Sequence, residues 1–478
     1  YFINAALRWF GGDELADKLQ RAGQWEKGEQ LAQLIRQTRT LLILDGLEPV
    51  QHPPLHPDEP EGGLKEQTMQ SLLRELAAHQ LGLCVISTRV AIADLVGFEG
   101  RSVIHHPLDE LSPPAGAQLL RQLKVNGAQE ELEAASEEYG GHSLALTLLG
   151  SYLGREYAGD VRRRHEIESL EKDSKPGWQA RRMFCAYEKW LGGKEQARLL
   201  EVLRMMGLFN RPADAASIAA LRAAPAIAGL TDSLFHYEQH KRWFGLSTIV
   251  RGKPISEREW RQTIATLRDL RLLAAAAPHD PDTLDAHPLV REHFCIHLKA
   301  ERPDAWRAGN VRLYRHLTQT AKLFPDTLDE MAPLFAAVAH GCDAGMHQIA
   351  FYLVYCVRIL RAPQNLASKG VSFSTQMLGA FDADLAVLTN FFVTPWHTPV
   401  AALKKNWDFI FNAAGFRLMA LGRLREAVQP MQSGLNERIT RARWKLAAQS
   451  ANTLSQLFLI LGNLPQAIEN CHQSLELA

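Results

Sequence analysis

The sequence lacks cysteine pairs of the kind that build disulfide frameworks or zinc knuckles. No CxxC pair occurs in its 478 residues, and the six cysteines lie far apart along the chain: Cys84, Cys185, Cys295, Cys342, Cys356 and Cys471. Isolated cysteines of this kind favour a reducing compartment over an oxidising one. We therefore expect a cytoplasmic protein without structural disulfides.

Long apolar runs and net charge are also missing. No stretch approaches the roughly 18 apolar residues of a membrane-spanning helix, and no basic region precedes a short apolar one as in a signal peptide. Lys+Arg and Asp+Glu both number 53, so the net charge is zero. This balance predicts no membrane partner and makes direct nucleic-acid binding unlikely, because such partners favour a strongly basic surface.

The most informative stretch of the sequence is Thr40 to Pro49 (TLLILDGLEP). Four consecutive apolar residues run directly into Asp45, and this pattern predicts a strand buried on both faces of a parallel sheet. A carboxylate at the carboxyl end of such a strand lies where open α/β sheets bind ligands. The stretch is either an ordinary buried strand ending in an acidic turn or the Mg²⁺-holding strand of a P-loop NTPase.

The segments around this stretch predict a parallel α/β sheet. Residues 3–36 look helical with breaks at glycines, and the proline- and glycine-rich residues 49–63 predict a loop. An amphipathic helix over 64–79 leads to a second apolar strand that ends at Arg89, and a further short strand is predicted over 102–108. Strand, helix and strand in this order are typical of βαβ units.

From Ser112 onward the sequence predicts helices, with one small β element. The stretch ELEAASEEYGGHSLALTLLGSYL indicates two helices broken at two glycines. Residues 195–300 combine helices with a β-type stretch, as a winged helix does, and Ser256 with Glu259 forms a capping box. Winged helices often bind DNA, but acidic residues offset the arginines of 256–273, so structural packing is the favoured interpretation.

The last 70 residues contain an internal repeat with a spacing of 40. NAAGFRLMALGRLREAV at 412–428 aligns with NTLSQLFLILGNLPQAI at 452–468, and five residue pairs recur: Asn412/Asn452, Leu421/Leu461, Gly422/Gly462, Leu424/Leu464 and Ala427/Ala467. The unit is a helix, a Leu-Gly-x-Leu turn and a second helix. This is a tetratricopeptide-type pattern, and such repeats present surfaces for binding proteins.

Taken together, the order of these segments resembles a STAND-class (NB-ARC-like) signalling ATPase over residues 1 to about 300, followed by tetratricopeptide-like repeats. LLILDGLE resembles the Walker B strand, which implies that Asp45 holds Mg²⁺ and serves catalysis with Glu48, the acid that would orient an attacking water. ISTR resembles the sensor strand and implies a phosphate-sensing role for Arg89. YGGHSLAL resembles the GxP/GLPL turn of the first helical domain, and AHPLVREHF resembles the MHD motif of the winged helix. These two resemblances imply that four residues contact the nucleotide: Gly141, His142, Ser143 and His287.

Each match departs from the family pattern. Ser143 stands where the first helical domain carries proline, Pro288 replaces an aspartate after the histidine, and Gly46 replaces a second acid. The phosphate-binding sequence GxxxxGK[ST] occurs nowhere in the chain. Because the chain also opens without methionine, we interpret it as an internal fragment, with the P-loop lying upstream of Tyr1.

The resemblance implies a division into five parts: a C-terminal part of the NTPase (NB-ARC-like) domain (1–109), a helical domain (110–165), a winged helix (166–300), a helical linker or sensor region (301–400) and tetratricopeptide-like repeats (401–478). The overall class is then mostly α, with one parallel α/β part.

The implied function is an ADP/ATP- and Mg²⁺-dependent switch. Its repeats would sense a protein trigger or another ligand, and it would self-associate to activate an N-terminal effector outside this chain, as in bacterial anti-phage defence. Two alternatives remain: a transcription regulator of the same class, and a protein-binding repeat scaffold with an inert NTPase remnant. Whether ATP is hydrolysed stays open.

Overall fold

The computed structural model places the chain in two compact units, each described here by itself. The first unit comprises Tyr1–Pro107, Thr320–Cys342 and Met346–Ala478, and the second comprises Leu108–Gln319 and Asp343–Gly345. The structure describes residues 2–19, 22–52, 61–167, 177–193, 196–239, 250–362 and 372–478.

Most of the described chain is helical. The elements up to the middle of the chain are α1 (Phe2–Leu19), α2 (Gln24–Arg36), β1 (Leu41–Leu44), α3 (Gln67–Ala78), β2 (Leu83–Ile86), α4 (Pro113–Gln122), α5 (Gln129–Glu138), α6 (Ser143–Glu156), α7 (Trp178–Leu191), α8 (Ala197–Met206), α9 (Ala215–Arg222), β3 (Phe235–Gln239) and β4 (Val250–Pro254). The remaining elements are α10 (Glu257–Asp269), α11 (Pro288–Glu301), α12 (Pro303–Thr320), α13 (Leu328–Asp343), α14 (His347–Ile349), a π-helix (Ala350–Ile359), a shorter π-helix (Phe373–Met377), α15 (Phe381–Thr389), β5 (Phe392–Thr394), β6 (Thr398–Pro399), α16 (Trp407–Ala420), α17 (Leu424–Thr440), α18 (Trp444–Ile460) and α19 (Leu464–Leu477). No helix in the described ranges is both long and apolar enough to cross a membrane.

The predicted βαβ unit is confirmed in the first unit. Strands β1 and β2 pair in parallel, with Leu41 opposite Leu83 and Leu44 opposite Ile86, and α3 connects them. The apolar side chains of α2 and α3 are buried in the same core as Leu44. Parallel strands need such a crossover helix, because a tight turn can only reverse the chain direction.

The prediction that the central strand is buried on both faces is wrong. In the parallel pair, one face carries Leu41, Ile43, Leu83 and Val85, whose exposed fractions are 61%, 64%, 59% and 46%. The sheet has two strands among the described residues, and its buried residues join the core that α2 and α3 complete. The apolar run therefore marks a face that these helices leave open.

The strand predicted over 102–108 does not form. The N–H of Val103 donates to the carbonyl oxygen of Phe98 (3.1 Å), and Val103 makes an isolated bridge with Glu99, so this residue closes a local turn. Beyond it, Ile104 and Leu108 are 88% and 89% exposed. A strand needs a neighbour to pair with, and these residues have none in the part of the chain that the structure describes. In the predicted loop 49–63, residues 53–60 lie outside the described residues.

The second unit packs its helices around one continuous core. The predicted β-type stretch before α11 pairs through Leu284 with Ala213, which precedes α9, and strands β3 and β4 form an antiparallel pair between α9 and α10. The capping box predicted at Ser256 and Glu259 is present. Hydrogen bonds from Ser256, and those from His236 and Arg198, lower the pKa of Glu259 to about 2. The charged carboxylate therefore links α10 to His236 and Arg198.

The repeat at the end of the chain forms two antiparallel helical hairpins, α16–α17 and α18–α19. The predicted Leu-Gly-x-Leu turns separate the helices of each hairpin, and Gly422 and Gly462 adopt φ angles of 76° and 75° there. Glycine tolerates this left-handed conformation without the steric cost that a side chain would add. Before the repeats, strands β5 and β6 form a short antiparallel pair.

Candidate functional site

The carboxyl ends of β1 and β2 bring Asp45 and Ser87 together. The Ser87 hydroxyl donates a hydrogen bond to the Asp45 carboxylate and accepts one from the backbone N–H of Gly46 (2.8 Å). The backbone of Ser87 continues the sheet, since its N–H donates to the carbonyl of Leu44 (2.9 Å). Ser87 was not predicted from the sequence, although the residues that directly follow two paired parallel strands lie side by side. Asp45 is thus held at the ligand-binding edge of the sheet with its carboxylate exposed.

Glu48 and Arg89 lie at the same edge and contact each other. The Oε1 atom of Glu48 accepts from the backbone N–H of Arg89 (2.8 Å) and lies 3.3 Å from its Nε. The Arg89 side chain is 81% exposed. An exposed ion pair is worth only about 0–1 kcal/mol. The guanidinium could therefore exchange Glu48 for a phosphate at small cost, and its predicted phosphate-sensing role stays a prediction.

The loop that carries Arg89 is fixed by a second residue that the sequence analysis did not identify. Gln51 is buried, and its amide donates to the carbonyls of Val90 (3.0 Å) and Gly62 (3.1 Å). Its Oε1 accepts from the hydroxyl of Thr88 (2.5 Å). Arg89 thus projects from a turn that the hydrogen bonds of Gln51 hold in place, which limits the positions that its side chain can reach.

An apolar groove of about 710 Å³ lies beside β2. It is lined by the strand itself, by the end of α3, by residues 91–95 and by residues 102–105. The backbone N–H groups of Leu83 and Ser87 bond toward β1. Because hydrogen-bonding directions alternate along a strand, those of Cys84 and Ile86 face away from β1. The groove therefore runs along the edge of β2 that has no strand partner among the described residues.

The donor atoms at the edge suit Mg²⁺. This cation prefers oxygen ligands and is usually held by one or two carboxylates together with phosphates and water. Asp45 offers an exposed carboxylate and Ser87 a hydroxyl oxygen next to it. The phosphate-binding sequence GxxxxGK[ST] does not occur in the chain. These residues can supply the metal side of a phosphate site and one cationic side chain.

The predicted Gly141–Ser143 motif forms the turn between α5 and α6 in the second unit. Gly140 and Gly141 adopt φ angles of 60° and 66°, and the carbonyl of Gly141 accepts from the N–H of Leu111 (3.0 Å). His142 is the N-cap of α6, since its Nδ1 accepts from the N–H of Ala145 (3.3 Å), and Ser143 is the first helical residue. The motif therefore has a clear structural role, and its nucleotide contact stays a prediction.

His287 is the N-cap of α11 in the same unit. Its Nδ1 accepts from the N–H of Leu289 (3.2 Å), and Pro288 occupies the first helical position, where its missing N–H costs nothing. The residue is exposed. His287 therefore has a structural role as a helix cap, and its nucleotide contact stays a prediction.

Comparison with known proteins adds little to this geometry. No protein-family model and no curated protein matches the chain. Among solved structures, the chain is similar to a Signal Transduction ATPase with Numerous Domains (STAND) protein with a tetratricopeptide repeat sensor from Pyrococcus horikoshii. The two are 12% identical with a TM-score of 0.43, and the match covers 100% of this chain and 68% of the other. A likeness of this degree carries no argument, so the function rests on the residues described above.

Proposed function

We propose that the full-length protein is an ADP/ATP-controlled signalling switch, and that the edge formed by Asp45, Ser87 and Arg89 is the Mg²⁺ and phosphate side of its nucleotide site. One observation supports this most: the ligand-binding edge of a parallel sheet lies beside an open, apolar groove along β2. Sheets of this kind bind ligands at the carboxyl ends of their strands.

The occupant we propose for the groove is a further parallel strand that leads into a phosphate-binding loop. Parallel sheets are usually covered on both faces, and a two-stranded sheet is rarely stable by itself. Here the apolar residues Leu83, Val85 and Ile104 are exposed, and the N–H groups of Cys84 and Ile86 face the groove. A strand paired there would end next to Asp45 and Arg89, where its loop amides could meet the same phosphates.

Within that site each residue has a distinct task. The Asp45 carboxylate, oriented by Ser87, would hold Mg²⁺, which supplies positive charge against the phosphate oxygens when bound. Arg89 would exchange Glu48 for a phosphate, and the released Glu48 carboxylate would then be available to position water. Charge-assisted hydrogen bonds of this type contribute about 1.5–3 kcal/mol each, which is enough to bias a two-state switch.

The helical hairpins α16–α19 are the part of the chain that we propose as sensor. Tetratricopeptide-like pairs stack into surfaces that bind protein segments. Binding of a protein trigger would favour nucleotide exchange and self-association, which would activate an N-terminal effector. Anti-phage defence is one setting that such a switch would fit.

The experiment compares Mg²⁺-dependent nucleotide affinity of the full-length protein and its Asp45→Asn variant by isothermal titration calorimetry. We expect Mg²⁺ to strengthen ATP or ADP binding to the wild type and Asp45→Asn to remove most of that gain, about tenfold or more, because the amide is a poorer and uncharged ligand. Asp13→Asn, whose carboxylate is exposed on α1, is the matched control and should bind as the wild type does. An unchanged Mg²⁺ dependence in Asp45→Asn would refute the assignment of the metal.

The second candidate function is a protein-binding repeat scaffold with an inert NTPase remnant. The Glu48–Arg89 pair favours it, because Arg89 already has a carboxylate partner without any ligand. Under this alternative the full-length protein binds neither nucleotide in the same titration, with or without Mg²⁺.

A further inference from the structure

Helices α7 and α11 of the second unit carry a cluster of three side chains that the nucleotide site does not use. His293 and His297 lie one turn apart on α11, and Glu188 lies in the last turn of the adjacent helix α7. Residues four apart on a helix share one face, so both imidazoles face the same neighbour. One donor atom from each of the three side chains lies within 4.8 Å of the other two.

Both imidazoles converge on one oxygen atom. The Nε2 atom of His293 lies 3.2 Å from Oε2 of Glu188, and Nδ1 of His297 lies 3.0 Å from the same oxygen. The two rings lie next to each other, with centroids 4.1 Å apart and planes tilted by 32°. His293 is almost fully buried, and Glu188 is only 16% exposed.

Hydrogen bonding does not fully account for this arrangement. The Nδ1 atom of His297 is shut off from solvent and makes no properly directed hydrogen bond among the described residues, despite its short distance to Glu188. A buried nitrogen without a directed partner is uncommon in folded proteins and often marks an ion or water that completes its bonding.

The donor set selects the class of cation. Two imidazole nitrogens and one carboxylate oxygen suit Zn²⁺ and related borderline cations, whereas Mg²⁺ and Ca²⁺ favour oxygen alone. Tetrahedral coordination with bonds of about 2.1 Å places neighbouring donor atoms about 3.4 Å apart, close to the 3.2 and 3.0 Å that separate the two histidine nitrogens from the Glu188 oxygen. The carboxylate of Glu301 lies 3.6 Å from Nδ1 of His297 and could complete the set, as could water.

We propose that Glu188, His293 and His297 bind one divalent transition-metal ion of the Zn²⁺ class, and that this ion fastens α11 to α7. The site goes beyond the proposed nucleotide switch and does not depend on it. His287 is the N-cap of α11, so the ion would also hold the helix whose cap is the predicted nucleotide contact.

The test is metal binding by the complete chain after removal of metal with a chelator. Titration with Zn²⁺ should show one saturable site, and Co²⁺ should give the visible d–d bands of a tetrahedral complex without a thiolate-to-cobalt charge-transfer band, because no cysteine is a ligand. Glu188→Gln keeps the side-chain shape and removes the anionic ligand. His297→Gln removes one imidazole ligand, whose side chain is partly exposed. Each should weaken binding by about 100-fold or more, since loss of an outer-shell partner alone costs 10–100-fold.

His279→Ala is the matched control, because this exposed histidine of the same unit lies outside the cluster. It should bind Zn²⁺ and Co²⁺ as the wild type does. The proposal is overturned if the wild type shows no saturable site, if its cobalt complex carries the sulfur band, or if both glutamine variants bind with unchanged affinity. The cobalt spectrum needs only the wild type, so it decides the matter even where a variant fails to fold.

Discussion

Asp384→Ala is expected to destabilise the first unit by about 3–5 kcal/mol, the cost of removing one partner of a buried ion pair. Asp384 on α15 is completely buried, and its carboxylate accepts hydrogen bonds from Arg417 Nε (2.7 Å), Tyr355 OH (2.9 Å) and Ser374 Oγ (2.8 Å). Burial alone would lower the pKa of Arg417, but Tyr355 and Asp384 outweigh it and raise that pKa. Without Asp384, the guanidinium would remain charged and buried with no carboxylate beside it.

The measurement is urea unfolding of each variant, combined with hydrogen exchange of peptides from α15 and α16. The double variant Asp384→Leu/Arg417→Met should lose less stability than Asp384→Ala, because it removes the uncompensated charge together with its partner. Asp13→Ala, at an exposed carboxylate of α1, should change little. A loss in Asp384→Ala no larger than in the Asp13 control would contradict this account of the network.

Gly141→Ala is expected to destabilise the turn between α5 and α6 more than Gly140→Ala does. Both glycines have positive φ angles, for which a side chain costs about 1–2 kcal/mol. A Cβ atom at Gly141 would also lie 2.2 Å from the carbonyl oxygen of Leu111, which is backbone. At Gly140 the nearest atom is the flexible end of Gln179, at 2.9 Å. We expect an additional cost of about 1–3 kcal/mol at Gly141, in the range of overpacked sites.

Hydrogen exchange by mass spectrometry resolves this difference, because peptides spanning 139–156 report the local stability of the turn and α6. Exchange in these peptides should quicken in both variants and more strongly in Gly141→Ala. Equal exchange in the two variants would show that the contact with Leu111 does not restrict this position.

Periodicity predicted β1, α3 and β2 of the first unit, but it could not predict how the strands are covered. The apolar run of β1 is the same whether one or two faces are buried, since that depends on which elements pack beside it. Ile104 and Leu108 show the same limitation: their sequence suits a strand, but strand formation needs a partner edge, and that edge is not encoded locally.

Long-range polar contacts were also beyond sequence reasoning. Asp45 was identified because an apolar run precedes it, whereas Ser87 and Gln51 have no such local pattern and are recognisable only from their partners. The spacing of His293 and His297 was visible in the sequence, but Glu188 lies 105 residues from His293. The capping box at Ser256 was predictable because its two residues are three apart.

The most direct test of the nucleotide assignment is to measure the nucleotide that the full-length protein retains through purification without added ADP or ATP. Acid extraction followed by chromatography and mass spectrometry gives its identity and amount. The account predicts a substantial fraction of one ADP or ATP per chain, and less after Asp45→Asn. Full-length protein that carries no nucleotide and binds none on addition of Mg²⁺ would contradict the account.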